Sequence, residues 1–402
     1  MVGINHASWC NMNIHLIIIH SGENVGDKNQ SLGIATALAT EQSSGVVTRE
    51  ECSAKDQSID ALNAKIAAVL HEGKQLILIS AGSSGLSVLH ALKQAFPDVK
   101  SIWSGHQVFA EVGLFESAAA PDVMAFPKHQ QSYIPEYLKA KTQLVLTDGV
   151  PHNLSASTIE ADRAAFMSKR RTLPEFMKKT AVVILPGDAP DMRGMEKIFT
   201  PENALALAER VHRLYPEYAF AVTNSPRTGK YLDPINAHRA GGIDPVTEAF
   251  VKRLAELSGC TPALYDFQFA SLPSAYKPLL YAVKTSAGSI LLCPGESTSM
   301  VTETLGYLPR EKVVIMEVPE VMSEAHHEHL TEVSRMGGVQ ILESAGTVGQ
   351  STAIVTEPST ELAASQIAKR FIAPGSSTSF LFKSSAASLE DYEPDNREWS
   401  RE

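Results

Sequence analysis

The chain has 402 residues, a formal net charge of −10, 44% hydrophobic residues and 20% charged ones. That length exceeds a usual single core, so two domains are expected, with the composition of a soluble globular protein. The acidic balance excludes nucleic acid as the main partner, because phosphate binding needs clustered Lys and Arg. No window approaches the ~18 uninterrupted apolar residues of a membrane-spanning helix. The run Ile14 to Ile19 is short for a signal peptide and no small-residue cleavage site follows it, so a cytoplasmic location in the producing cell is expected. Cys10, Cys52, Cys260 and Cys293 lack metal-type spacing and read as reduced thiols.

Residues 1–13 read as a leader. Short apolar strands are then predicted at Ile14 to His20, Gln75 to Ser80, Ser101 to Trp103, Val123 to Phe126 and Gln143 to Thr147. Between them, helices are predicted over Gln30 to Thr40, Asp60 to His71 and Ser87 to Ala95, with a further helix over Ser155 to Arg170. Apolar strands alternating with amphipathic helices imply a parallel sheet covered on both faces. The polar, proline-bearing stretch Lys169 to Pro174 marks the expected join, giving a first domain over 14–170.

The pattern restarts with strands at Ala181 to Leu185, Ala219 to Thr223, Leu264 to Phe269, Ser289 to Cys293 and Lys312 to Glu317. Helices are predicted over Thr200 to Leu214, Pro245 to Leu257 and Ser299 to Gly306, within a second domain spanning 171–373. The fold class is therefore α/β, with two doubly wound parallel-sheet domains of similar size. Ligands of such sheets bind outside the carboxyl ends of the strands, which places a site in the cleft between the halves. The polar, acidic segment 374–402 reads as a disordered tail. Glutamate-rich C-terminal tails of this kind resemble the export signals of some bacterial type IV secretion effectors.

Function is sought in the loops. Ser289 to Glu303 reads as a strand, a Pro-Gly break and a helix opened by Ser297, Thr298 and Ser299. A helix start of this kind offers unpaired N–H groups and a positive dipole end to a phosphate, although an ordinary β-α junction has the same pattern. Glu303 lies four residues beyond Ser299, placed to accept from a ribose diol. The loop from His20 to Gln30 is long and polar with two glycines, the turn from Ser80 to Gly85 is made of small residues, and neither is a strict dinucleotide or P-loop pattern. Strand ends also present His129, Asp148 and His152, while Arg227 and Lys230 are placed to clamp a phosphate. His326 and His329 share a helix face, but no H-E-x-x-H supports a zinc site.

These loops, in this order, resemble the "elongated mitochondria" mitochondrial-fission family of plants and its bacterial homologues, catalogued as nucleoside-diphosphate-sugar epimerases. The likeness runs from about Ile14 to Phe371. The family's opening signature is matched by Ser21-Gly22 and by Gly26 to Gly33, with Asp27 where histidine is usual. Its Gly-x-x-His is matched by Gly149 to His152. Its Thr-Thr-Ser-Arg-Arg-Thr is approximated by Val222 to Thr228, with Pro226 replacing one arginine. Its Ala-Asp-Ser-Val-Ser-Met-x-x-Glu is approximated by Gly295 to Glu303, and its glycine-rich turn is reduced to Pro186-Gly187-Asp188.

The resemblance implies two Rossmann-like domains facing across a cleft, as in GT-B glycosyltransferases. It also implies that Glu296 to Glu303 hold a nucleotide diphosphate and that Glu303 binds ribose. The expected activity is metal-independent chemistry, without a cofactor, at the anomeric carbon of a nucleotide-linked sugar. Gly22, Asn29, Gln30, Ser225, Arg227, Glu296, Ser297, Thr298, Ser299 and Glu303 are the expected binding residues. Asp27, Asp148 or His152 would activate the nucleophile. If that nucleophile is water, the enzyme is a glycohydrolase, and ADP-ribose on a protein side chain would suit the pocket, as an effector activity. The alternative is a non-catalytic adaptor with a protein target at mitochondria.

Overall fold

The computed structural model describes residues 13–21, 25–42, 46–170, 179–190, 195–230, 242–267, 273–350 and 363–372. The expected leader, apart from residue 13, and the expected tail lie outside these residues, as does Gly22.

The first sheet is wholly parallel and runs β2-β1-β3-β4-β5-β6, from β1 (Ile14–His20), β2 (Val47–Ser53), β3 (Gln75–Ala81), β4 (Lys100–Ser104), β5 (Val123–Pro127) and β6 (Gln143–Thr147). β1 and β3 are apolar almost throughout because helices cover both faces. α1 (Val25–Glu41) lies on one face, and α2 (Ile59–His71), α3 (Gly82–Ala95) and the short α4 (Glu136–Lys141) contribute to the core of the other.

β2 was not expected. Its Val-Thr-Arg-Glu-Glu-Cys-Ser is charged because it forms the sheet edge, where only Cys52 is buried and the acids discourage pairing with another chain. α1 also starts earlier than expected, at Val25 rather than Gln30, so Asp27 and Asn29 are helical rather than loop residues. Asp27 in the first turn suits the positive helix end.

The second sheet runs β11-β10-β7-β12-β13-β14-β15. Its strands are β7 (Thr180–Ile184), β10 (Ala219–Thr223), β11 (Ala263–Tyr265), β12 (Ile290–Pro294), β13 (Val313–Met316), β14 (Gln340–Leu342) and the antiparallel β15 (Val348–Gln350). A separate two-residue pair, β8 (Ala189–Pro190) and β9 (Glu196–Lys197), follows β7. Part of the strand expected to reach Phe269 falls outside the described residues; within them, β11 ends at Tyr265.

Packing divides the chain differently from chain order. α5 (Ala156–Arg170) lies on the second sheet, where Ile159 and Phe166 join Val182, Leu279 and Leu291. Asp162 meets Lys277 of α8 (Tyr276–Thr285) at 2.9 Å, and Arg163 stacks 3.6 Å above Tyr281. In the opposite sense, α11 (Ala363–Ile372) returns to the first sheet. Its Ala364, Ile367, Ala368 and Phe371 complete the core around Leu32, Ala35 and Leu38. Chain order, with a join at Lys169 to Pro174, assigns each segment to the other domain. A polar stretch at Lys169 to Pro174 can end a helix without ending the core that the helix serves.

Residues 148–155 cross from one sheet to the other against α1. A β-carbon on Gly33 of α1 would lie 2.4 Å from the carbonyl oxygen of His152, a backbone atom that cannot rotate away. Gly33→Ala is therefore expected to destabilise the protein by about 3 kcal/mol, the upper end of overpacking costs. Chemical denaturation of the variant checks this, and an unchanged midpoint would contradict the close packing of α1 on the crossing.

Candidate functional site

Each sheet has one place where strand order reverses, and ligands bind at such points. In the first sheet it lies between β1 and β3, and in the second between β7 and β12. The carboxyl end of β1 leads to Gly26 at the start of α1, and that of β12 leads into α9 (Thr298–Tyr307). A β-carbon on Gly26 would lie 3.6 Å from Ser299 Oγ, so the two helix starts meet. On the same side, Gly149 (φ +93°) lies against Thr302, whose hydroxyl accepts from Val150 N–H at 3.4 Å. The two halves are thus joined where both switch points open.

The start of α9 is built as a donor site. Ser297 occupies the cap position, yet its side chain makes no capping hydrogen bond. By contrast, Ser58, Thr200 and Asp244 cap α2, α6 (Pro201–Leu214) and α7 (Pro245–Ser258) through their side chains. The first-turn amides of α9 are therefore left for another acceptor, beside the hydroxyls of Thr298 and Ser299.

Glu296, one residue before that cap, is buried, and its Oε1 accepts from Gly187 N–H at 2.9 Å. Arg227 Nη2 lies 3.6 Å from the same oxygen, while among the described residues Oε2 has no hydrogen-bond partner. Burial pushes the Glu296 carboxyl up, and Arg227 partly offsets that effect. Gly187 must be glycine, because a β-carbon there would lie 2.6 Å from Arg227 Cβ.

Arg227 is presented by a rigid loop. Asn224 Nδ2 donates to Thr247 Oγ1 at 2.8 Å and to Asp266 Oδ1 at 2.7 Å, and its Oδ1 accepts from Phe267 N–H at 2.7 Å. Ser225 is buried within this turn, its Oγ accepting from Arg227 N–H at 3.2 Å. Ser225 thus shapes the loop, and the half-exposed guanidinium of Arg227 is the group it offers.

Glu303 is buried one turn into α9, where its Oε2 accepts from Tyr276 Oη at 2.9 Å. Burial raises its pKa to about 7, against lowering by Tyr276 and Lys277. It makes no further hydrogen bond among the described residues, which leaves Oε1 for a ligand hydroxyl.

The expected residues of the first half are placed less uniformly. Asp27 is buried against Gly82 (φ +71°), one residue after the glycine that meets Ser299. Gln30 points into the sheet, where its Oε1 accepts from Ser104 Oγ at 3.3 Å. Asn29, on the same helix, is half-buried. Asp148 forms an ion pair with Lys128 at 2.5 Å.

His152 Nδ1 accepts from Leu154 N–H at 3.2 Å, which assigns the ring proton to Nε2. Burial holds its pKa at about 4. His152 is therefore suited to donate a hydrogen bond from a neutral ring, and poorly suited to take a proton.

A histidine cluster completes the picture. His129 follows β5, and its ring centroid is 5.0 Å from that of His329 on α10 (Glu324–Arg335), so the pair bridges the halves. His106, after β4, is electrostatically coupled to Arg227 and His129, and His326 to His106, Arg227 and His129. Burial is the main cause that holds His106 and His129 at about 4 and His326 and His329 at about 3. His326 Nδ1 accepts from Ser323 N–H at 3.0 Å in a capping box. Among the described residues, no three His, Cys, Asp or Glu side chains are grouped to hold a metal ion. His106 had not been singled out, because a lone histidine in a loop carries no spacing signal.

The family model for mitochondrial fission ELM1 matches residues 25–242, more than half of the chain. The protein belongs to the mitochondrial fission ELM1 family. Comparison with curated proteins gives no match. Among solved structures, this ELM1-family chain is similar to a UDP-GlcNAc 2-epimerase from Methanocaldococcus jannaschii, with 8% identity, a TM-score of 0.43 and coverage of 90% of this chain and 99% of that one. The Neisseria meningitidis UDP-GlcNAc 2-epimerase, bound to UDP-GlcNAc, has 11% identity, a TM-score of 0.40 and coverage of 90% and 99%. The N-terminal domain of Candida albicans trehalose-6-phosphate phosphatase has 11% identity, a TM-score of 0.40 and coverage of 90% and 93%. Among the described residues, no helix is long and apolar enough to cross a membrane.

Proposed function

We propose that the joined switch points bind a nucleoside-diphosphate sugar and act at its anomeric carbon. The observation that carries this reading is the uncapped start of α9, flanked by Arg227 and aimed at the start of α1. The first-turn amides, the hydroxyls of Thr298 and Ser299 and the guanidinium of Arg227 would take the diphosphate. They would also stabilise the charge that gathers on it as the glycosidic bond breaks. Glu303 Oε1 would accept from a ribose hydroxyl while Tyr276 holds Oε2.

Of the three groups considered for activating the nucleophile, Asp27 fits best. Its neighbour Gly26 meets Ser299 at the α9 start while its own carboxylate packs against Gly82; Asp148 is paired with Lys128, and His152 is a neutral donor. An acceptor hydroxyl would make the enzyme a glycosyltransferase, and water would make it a glycohydrolase. ADP-ribose attached to protein is the hydrolytic substrate that shares the diphosphate and ribose recognised here. Neither scheme requires a metal or a cofactor. Membership of a mitochondrial fission family supports a second reading, in which the site binds its ligand without turnover and the protein acts through a partner at mitochondria.

Thermal shift against UDP-, GDP-, CMP- and ADP-linked sugars, including ADP-ribose, tests the proposal. A ligand at a hundred times its Kd should stabilise the protein by about 2.7 kcal/mol. A selective shift that disappears in Arg227→Ala is expected. A flat panel on well-folded protein would remove the cleft reading and leave the partner-binding one.

A further inference from the structure

The histidines between the domains do more than line a cleft. His129, on the 3-10 turn Lys128–Tyr133 after β5, faces His329 across the boundary with ring centroids 5.0 Å apart. His329 is 2% exposed, and among the described residues its Nε2 has no hydrogen-bond partner. One residue earlier on α10, Glu328 Oε1 accepts from Tyr133 Oη at 2.8 Å, which makes this patch the direct bond between turn and helix.

The surrounding charges give a proton no compensation. His326 and His106 are electrostatically coupled to His129 and, like it, are neutral. Arg227 and His327 add positive influence on the same cluster, and His327 lies 3.5 Å from Glu317. Lys128 is paired with Asp148, and Glu328 is held by Tyr133. Among the described residues, the charges that act on His329 are those of His129 and His326, and the nearest carboxylate in sequence, Glu328, keeps a buried Oε2 with no hydrogen-bond partner.

We propose that the His129–His329 contact is a proton-sensitive latch at one edge of the domain boundary: it adds to the contacts that close the boundary while both rings are neutral and works against closure when either is charged. The reason is the cost of placing an unpaired charge in a contact where His329 is buried and His129 half-buried, which the chain avoids by letting the ring out into water. Closed, the rings titrate at about 4 and about 3. Released into water, each returns to about 6.5, so at about pH 5 protonation of each ring raises the open-to-closed ratio roughly thirty-fold over its value at high pH. The sign follows from the depressed closed-state values. The latch is intact above about 6.5 and weakens as pH falls from there toward about 4.

Small-angle X-ray scattering on the full chain, without ligand, reads the domain separation directly. Radius of gyration is compared near neutrality and at about pH 5, with far-UV circular dichroism on the same samples. The wild type should expand reversibly on acidification and keep its secondary structure. The double variant His129→Phe, His329→Phe, which preserves ring packing but cannot charge, should stay compact. His129→Gln, His329→Gln offers an uncharged polar pair if the phenylalanine pair does not fold. Unchanged dimensions in the wild type would overturn the proposal, as would equal expansion in the variants. Expansion that coincides with loss of the far-UV signal would overturn it too, since that is unfolding. None of these outcomes depends on whether the cleft binds a nucleotide.

Discussion

Glu303→Gln should stabilise the protein above neutral pH and weaken its hold on a nucleotide. The carboxyl is buried and its pKa is raised from the ordinary 4.5 to about 7. A group whose folded value is raised binds more protons folded than unfolded between those two values, so stability falls as pH rises from 4.5 towards 7. That range corresponds to about 3 kcal/mol lost by the time the carboxylate is fully charged. Glutamine avoids the loss and still accepts from Tyr276 through its amide oxygen. The variant should therefore melt several degrees higher than the wild type at about pH 8 and nearly alike at about pH 4. In the ligand panel, the same change removes a charged acceptor for ribose, which costs about 1 to 2 kcal/mol of binding. Stability gained with affinity lost is the signature of a strained, functional carboxylate. A variant that is no more stable at high pH would mean that Glu303 is comfortably solvated, and it would lose its standing as a site residue.

The parts of this arrangement that could be read from sequence are those encoded locally. The apolar runs of β1, β3, β7 and β12 declare themselves as buried parallel strands. The Pro-Gly break followed by three hydroxyl residues declares the start of α9. The features that escaped depend on contacts remote in sequence. β2 is charged because it lies at an edge, and only the sheet order reveals an edge. α5 and α11 exchange domains, which chain order cannot foretell. Gln30 looked like a ligand but turns inward to Ser104. The latch pairs His129 with His329, 200 positions later, and nothing near either residue announces the other. His152 is legible in the sequence as a candidate to activate the nucleophile, yet its proton inventory depends on a backbone N–H two residues on.

Arg227→Ala should remove nucleotide binding more completely than any other single change, and Glu296 is the reason. In the free protein the guanidinium faces a buried carboxylate, with Arg227 Nη2 at 3.6 Å from Oε1. Glu296 also takes the Gly187 N–H, so its carboxylate occupies donors that a phosphate would otherwise use. An incoming diphosphate must share Arg227 with this internal anion. Charge-assisted hydrogen bonds contribute about 1.5 to 3 kcal/mol, so losing Arg227 should weaken a nucleotide-sugar by roughly 10- to 150-fold. The loss goes further than the missing contact, because Glu296 then stands uncompensated beside the site and repels the ligand. Glu296→Gln keeps an acceptor for Gly187 N–H and removes that charge. The double variant Arg227→Ala, Glu296→Gln should therefore bind better than Arg227→Ala alone, a coupling that a double-mutant cycle by titration calorimetry measures directly. Additive effects would show that the two side chains act apart. In that case the start of α9 would bind its anion without Glu296, and the carboxylate's role would be confined to fixing the turn at Gly187.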